Sequence, residues 1–185
     1  MRHLTLITTG GTIEKTYDEL TGRLENRRSI VRRMLGRLRL EDTAVRIVEL
    51  LSKDSLDMTE TDRDRIVNAV RAALSGEAAV PAATVGAPPG GPVSGIVILH
   101  GTDTLCTTGE RLHAECPRPA VPIVLTGAMR PFEMRQSDAL QNLTEAIFAT
   151  GALPPGVYVC AHGRAQPFPG VVKDRLRGTF TRATS

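Results

Sequence analysis

Short continuous apolar runs alternate along the chain with longer stretches in which apolar residues recur three and four apart. The runs are LTLIT (4–8), TAVRIVELL (43–51), GIVILH (95–100), VPIVLTG (121–127) and GVYVCAHGR (156–164), the last with a polar end. They are apolar or β-branched over most of their length, as strands covered on both faces must be. Helical spacing is found over 26–38, with Ile30, Met34, Leu35 and Leu38, and over 62–74, with the seam Ile66, Val67, Val70 and Leu74. Thr and Asp residues just before the second helix can cap its free amides. GTDTLCTTGERLHAEC (101–116) begins as a loop and becomes a helix, and SDALQNLTEAIFAT (137–150) is a helix opened by a Ser/Asp cap. SKDSLDMTETD (52–62) is a polar turn. GEAAVPAATVGAPPGGPVSG (76–95) is a loop by its Ala, Pro and Gly content, with at most a short strand near Ala78–Val80. Buried strands alternating with helices predict an α/β fold, a three-layer α/β/α sandwich with a mostly parallel (mixed) sheet, Rossmann-like.

The strand ends share a chemistry. They read ITTGGT, HGTDT and LTGAMRP, and a polar stretch follows the 43–51 run as well. In open α/β sheets ligands bind in the crevice beyond the carboxyl ends of the strands. Thr, Asp and Ser side chains are therefore expected to converge there.

Composition narrows the picture only modestly. With 185 residues the chain makes one domain with a real core. There is no Trp, and Tyr and Phe are few, so that core rests on Val, Leu, Ile and Ala. A net charge of +3 makes no case for nucleic acid. Seven arginines do crowd into RLENRRSIVRRMLGRLR (23–39), but no aromatics interleave with them. A solvated basic face, with stems packed over apolar surface, is the expectation. Three cysteines without CxxC or zinc spacing point to reduced thiols and a cytoplasmic setting. The opening MRHLTLITT lacks a signal-peptide pattern, and no run is long and apolar enough to span a bilayer, so neither secretion nor a membrane is expected.

TTGGTI is neither GxGxxG nor GxxxxGK followed by Ser or Thr, so it is not a dinucleotide or phosphate loop. Its glycine pair still exposes backbone amides that can hold an anion or oxyanion. HGTDT adds a second strand end rich in hydroxyls. Two such loops in one sheet suggest hydroxyl chemistry, and a threonine nucleophile needs a partner to take its proton. His100 and His162 end strands; His3 is expected at the surface and His113 on a helix. Lys53 and Lys173 are the lysine alternatives, and spacing does not choose between them. No HExxH or Cys/His cluster indicates a metal.

TTGGTI together with HGTDT resembles the paired signatures of the asparaginase/glutaminase family, the threonine-dependent amidohydrolases. LLSKDSLDMT resembles that family's substrate-carboxylate loop, LTGAMRP its strand and turn after the second signature, and VVKDRLRGTF the segment of its catalytic lysine. The similarity runs from Leu4 to Phe180. It implies Thr12 as nucleophile, Thr102 as the second threonine with Asp103 beside it, and Lys173 as the catalytic lysine. It implies Ser55, preceded by Asp54, at the substrate α-carboxylate, with Asp103 orienting Lys173 or binding the α-amino group. Backbone amides around Gly11 and in the Gly101–Thr102 turn would hold the oxyanion. His100, Met129 and Arg130 then become supporting residues. The family's lid tyrosine would correspond to Tyr17, which lies closer to Thr12 than the usual spacing; Glu14 or Glu19 is the alternative for part of that role.

The implied reaction is hydrolysis of L-asparagine to aspartate and ammonia through an acyl-enzyme, without cofactor, with glutamine as a second small-molecule substrate. The chain ends soon after Phe180, so the resemblance implies a catalytic domain of N-terminal type over 1–185 without the family's C-terminal domain. A homo-oligomer, a dimer first of all, is then expected; either the partner covers the site or substrate binds more weakly, and an affinity below that of the two-domain enzymes is expected. Two further readings stay open. One is a glutaminase or an amidotransferase subunit supplying ammonia. The other is a non-catalytic ligand-binding module of the same fold.

Overall fold

The structure is a computed structural model and describes residues 1–77, 83–85 and 91–183. Strands are β1 (Arg2–Gly10), β2 (Thr16–Asp18), β3 (Arg23–Glu25), β4 (Thr43–Lys53), β5 (Ala83–Val85), β6 (Gly95–Leu99), β7 (Pro122–Thr126), β8 (Gly156–Ala161), β9 (Arg164–Pro167), β10 (Val171–Asp174) and β11 (Thr179–Arg182). Helices are α1 (Val31–Leu35), α2 (Glu60–Ser75), α3 (Leu105–Glu115) and α4 (Ala139–Ala152).

Seven strands form one sheet in the order β5-β4-β1-β6-β7-β8-β9. The five central strands are parallel and the two edge strands antiparallel. Alternate residues of the buried strands feed two cores. Ile7, Ile96, Ile98, Ile123 and Leu125 meet Ile66, Val67 and Val70 of α2 and Leu105 and Leu112 of α3. Leu4, Leu6, Val97, Leu99 and Val124 meet Val31, Met34 and Leu35 of α1 and Leu143 and Ile147 of α4. This is the mixed three-layer α/β/α sandwich expected from the apolar runs. Counting only the parallel strands, the order is second, first, third, fourth, fifth. The direction of winding therefore reverses between β1 and β6, and the crevice at that switch point is where such folds bind ligands.

Several local expectations are corrected. The helix expected over 26–38 is only five residues long. Its first residues are spent on tertiary ties, Arg27 to Asp18 and Ser29 to Glu14, and Gly36 caps its end. The strand expected over 156–164 breaks at His162–Gly163. Both residues have positive φ, 53° and 76°, as a tight hairpin turn requires, and the chain returns as β9. His3 is half-buried within β1 rather than on the surface. The strand considered near Ala78–Val80 lies outside the described residues, while β5 pairs with β4 just beyond it. The cap before α2 is as expected: Thr59 accepts from the Asp62 amide at 3.2 Å and Asp62 from the Thr59 amide at 3.0 Å, a full capping box. Thr59→Ala is expected to lower unfolding stability by about 1 kcal/mol, read as a shift in urea midpoint at unchanged slope.

The basic segment behaves as a solvated face with anchored stems. Arg33 and Arg37 lie over the Phe132 ring, 5.3 and 5.0 Å from its centroid, and Arg33 pairs with Glu133 at 2.7 Å.

Candidate active site

Three loops meet at the switch point, and glycines let them touch. Gly10 and Gly11 end β1 with φ of 91° and 81°, a conformation that side chains rarely adopt. A Cβ on Gly11 would lie 2.4 Å from both Cα and N of Gly101. A Cβ on Gly101 would lie 2.6 Å from Cβ and Oγ of Ser55. The loops after β1 and β6 thus stack backbone on backbone, and the Ser55 side chain of the loop after β4 packs on the Gly101 backbone. Gly11 donates its amide to Lys53 O at 2.8 Å, which locks the first loop to the third. That bond occupies the Gly11 amide itself, so of the amides expected around Gly11 it is not the one free for an oxyanion.

Thr12 follows this turn at the head of a single 3₁₀ turn, Thr12–Glu14, and is half-buried. Across the Gly11–Gly101 contact stands a cluster of three expected residues. Lys173 Nζ donates to Thr102 Oγ1 at 2.7 Å and to Asp103 Oδ1 at 3.0 Å. Lys173 comes from β10, paired with β11 in an antiparallel hairpin that packs against α3. Sequence reasoning missed Arg175, whose NH1 reaches Asp103 Oδ1 at 2.8 Å. Arg175 lies in the turn just past β10, where strand alternation gives no sign of which way it faces. Burial works to raise the Asp103 pKa, but Lys173 and Arg175 outweigh it and hold the carboxyl below its ordinary range.

Ser55 opens the 3₁₀ turn Ser55–Asp57 and is 1% exposed. Thr104 anchors it by donating to Ser55 O at 2.8 Å. Its own hydroxyl has no partner among the described residues, so a ligand oxygen would satisfy a buried group otherwise left at a cost. Asp54 caps the same turn through the Leu56 amide and pairs with Lys15 at 2.7 Å. Lys15 chiefly, and the turn's amides with it, keep the Asp54 pKa low against burial. Lys15 was also missed, though opposite charges on loops ending neighbouring strands are a readable sign.

Tyr17 stands apart. It lies on the β2–β3 hairpin, is 58% exposed, and hydrogen-bonds to none of the other expected site residues. Glu19 is exposed on the same hairpin. Glu14 does not face the crevice at all. It is 3% exposed, and its carboxyl accepts from the Gly10 amide at 3.1 Å and from the Ser29 hydroxyl. Burial pushes its pKa from 4.5 to about 7. Below pH 4.5 folded and unfolded chains both hold this proton; between pH 4.5 and about 7 only the folded chain does. Stability contributed by the protonated carboxyl is therefore lost as pH rises through that window, by on the order of 3 kcal/mol. Glu14→Gln is expected to remove this part of the pH dependence, measured as the wild-type minus variant difference in urea stability at pH 5 and pH 8.

His100 is wholly buried. Gly101 O can only accept, so Nδ1 carries the proton (2.8 Å) and Nε2 accepts from the Thr108 hydroxyl (2.8 Å). Burial lowers its pKa to about 4. It is a neutral strut between the β6 end and α3, as supporting residues should be, and not a base in the crevice. Met129 and Arg130 lie in the loop after β7, where Asp138 accepts both their amides.

Fold and site define a doubly wound α/β protein with hydroxyls, a lysine and a carboxylate gathered at its switch point. The model of the asparaginase N-terminal region matches residues 3–179, and the chain belongs to the asparaginase family. It is 30% identical over 156 residues to the L-asparaginase of Thermococcus kodakarensis, covering 84% of this chain and 43% of that one. It is 46% identical over 69 residues to a glutamyl-tRNA(Gln) amidotransferase subunit of Methanobrevibacter smithii, 37% of this chain and 16% of that one. The solved structure of the thermostable L-asparaginase from Thermococcus kodakarensis superposes with a TM-score of 0.79 at 28% identity, over 97% of this chain and 51% of that one. The chain thus spans about half, or less, of the length of the relatives it matches.

Proposed function

We propose that the chain hydrolyses the side-chain amide of L-asparagine to L-aspartate and ammonia through an acyl-enzyme on Thr12. The observation that carries this reading is the Lys173–Thr102–Asp103 cluster, with its 2.7 Å contact, set across the Gly11–Gly101 contact from Thr12. Two hydroxyls on adjacent strand ends can approach one carbon from different sides. In the first step Thr12 Oγ bonds to the amide carbon, the C–N bond breaks, and the proton lost by Thr12 leaves with ammonia. In the second, water adds to the acyl carbon with Thr102 and Lys173 taking and relaying its proton, and Thr12 Oγ is released with aspartate. Ser55 holds the α-carboxylate through its unpaired hydroxyl, and Asp103 orients Lys173 or meets the α-amino group. With the Gly11 amide occupied, the Thr12 amide beside it and the amides of the Gly101–Thr102 turn face the oxyanion. Tyr17, on an exposed hairpin, closes on substrate only by moving. A homodimer covering the crevice and a cytoplasmic setting complete the reading.

The amidotransferase subunits among the relatives support a second reading, in which glutamine is the ammonia donor. Ammonia release from asparagine and glutamine separates the two. We expect kcat/KM to favour asparagine by about 10-fold or more, the discrimination one methylene provides in a shaped pocket. A preference for glutamine would transfer the assignment to the second reading. No release from either amide would leave the fold as a binding module.

A further inference from the structure

We infer that the chain carries a second site, an oxyanion pocket formed by Arg130, Arg164 and Arg177, for a phosphate-bearing small molecule without a nucleobase. The pocket is a cavity of about 630 Å³, within the range of small-ligand sites. Its three guanidinium groups come from three segments. Arg130 lies in the loop after β7, Arg164 opens β9, and Arg177 lies in the turn between β10 and β11. Among the described residues none of the three has a carboxylate within ion-pair distance. Arg130 donates from NH1 to Gln136 Oε1 at 3.2 Å, a neutral partner that leaves its charge unbalanced. Three like charges around one cavity repel each other, and an anion between them relieves that repulsion.

One carboxylate, Asp138, lines the same cavity, but its oxygens are already engaged. It accepts from the amides of Met129 at 3.0 Å and Arg130 at 3.0 Å, from Asn142 Nδ2 at 2.9 Å and from His162 Nε2 at 2.8 Å. Asp138 accepts the Nε2–H of His162, and Nδ1 hydrogen-bonds with the Thr179 hydroxyl, 3.1 Å away. His162 is held at φ 53°, a backbone state uncommon for a residue with a side chain, so the wall it forms is set by the hairpin turn. Guanidinium forks match the oxygens of a phosphate group, and in three places they match its several oxygens at once. Among the described residues that line the cavity there is no Phe, Tyr or Trp to sandwich a nucleobase, and its guanidinium groups favour the phosphate.

The placement ties this pocket to Lys173. Arg177 caps the hairpin in which Lys173 pairs with Phe180 and Asp174 with Thr179. An anion bridging Arg177 to Arg130 and Arg164 pins that turn to the β7 loop and to β9, and with it the strand that brings Lys173 to Thr102. Anion binding at this pocket is independent of the proposed hydrolysis and is read without it.

The purified protein is titrated at low ionic strength with inorganic phosphate, glycerol 3-phosphate and succinate, followed by amide chemical shifts and calorimetry. Saturable shifts centred on Gly178, Thr179 and His162 are expected, with both phosphates binding more tightly than succinate. Tighter binding of glycerol 3-phosphate than of phosphate identifies an ester ligand, and the reverse order the free ion. Arg164→Ala and Arg177→Ala, each at an exposed side chain, are expected to weaken binding at least ~10-fold, the loss of one or two charge-assisted hydrogen bonds. Bound phosphate is also expected to slow hydrogen exchange of the Val172 and Lys173 amides. The inference is overturned by shifts that do not saturate, by shifts centred on Gly11, Ser55 and Gly101, or by variants that bind as the wild type does. It is equally overturned if either variant lowers the sedimentation mass, since the arginines would then seat a carboxylate of a second copy.

Discussion

Lys173→Met is expected to lower kcat for ammonia release from asparagine by about 10²–10⁴-fold, the range that a positioned proton-transfer group contributes. KM should change far less, because Ser55 and Asp103 remain to hold the substrate. Methionine fills the volume of the lysine stem but cannot donate to Thr102 Oγ1 or carry a proton, so both bonds of the Nζ, at 2.7 and 3.0 Å, disappear. Asp103 keeps Arg175 as a partner at 2.8 Å, so the charge of the cluster is not stranded and the fold should survive. Parallel far-ultraviolet dichroism and steady-state kinetics check both halves. An equal fall in stability and activity would make Lys173 a structural cation; a selective fall in kcat fits the proposed relay.

The second large effect is expected of Gly11→Ala. The added Cβ would stand 2.4 Å from the Gly101 backbone, where neither partner can give way, and at a φ of 81° it is strained in any case. A loss of about 3 kcal/mol or more in unfolding stability is expected, together with loss of whatever activity the crevice has. Gly163→Ala separates the two causes. Its φ is 76°, but nothing lies within 4 Å of the new Cβ, so it pays only the backbone strain, about 1–2 kcal/mol. Urea denaturation of the two variants side by side isolates the part that the loop-to-loop contact contributes.

The features legible in the sequence are those that rest on local pattern. Continuous apolar runs marked the five parallel strands, because a strand covered on both faces has no polar alternation to confuse it. Threonines and glycines at the ends of β1 and β6 marked the crevice, because the order of the parallel strands puts those two ends side by side. Thr12, Thr102, Asp103 and Ser55 all lie on the loops that meet there. Lys173 stands beside Lys53 as a candidate base in the sequence, and only the resemblance chooses between them. Its β10–β11 hairpin is short and mostly polar, and its position depends on packing against α3 from a distance of some seventy residues in sequence. The shortened α1 was illegible for the same reason. Nothing in residues 26–30 says that Arg27 and Ser29 are needed to tie down Asp18 and Glu14. Glu14, the alternative for part of the lid role, is instead a buried strut because the Gly10 amide and the Ser29 hydroxyl claim it. Tyr17 remains on an exposed hairpin whose two strands have three residues each, too short for sequence spacing to say where its ring closes.

The central claim is that Thr12 forms the covalent bond to the substrate. Steady-state ammonia release from L-asparagine by the wild type, Thr12→Ala and Thr12→Ser tests it most directly. Turnover by the wild type, loss of about 10³-fold or more in the alanine variant and partial recovery in the serine variant are the expected result. Turnover by Thr12→Ala equal to that of the wild type would contradict it.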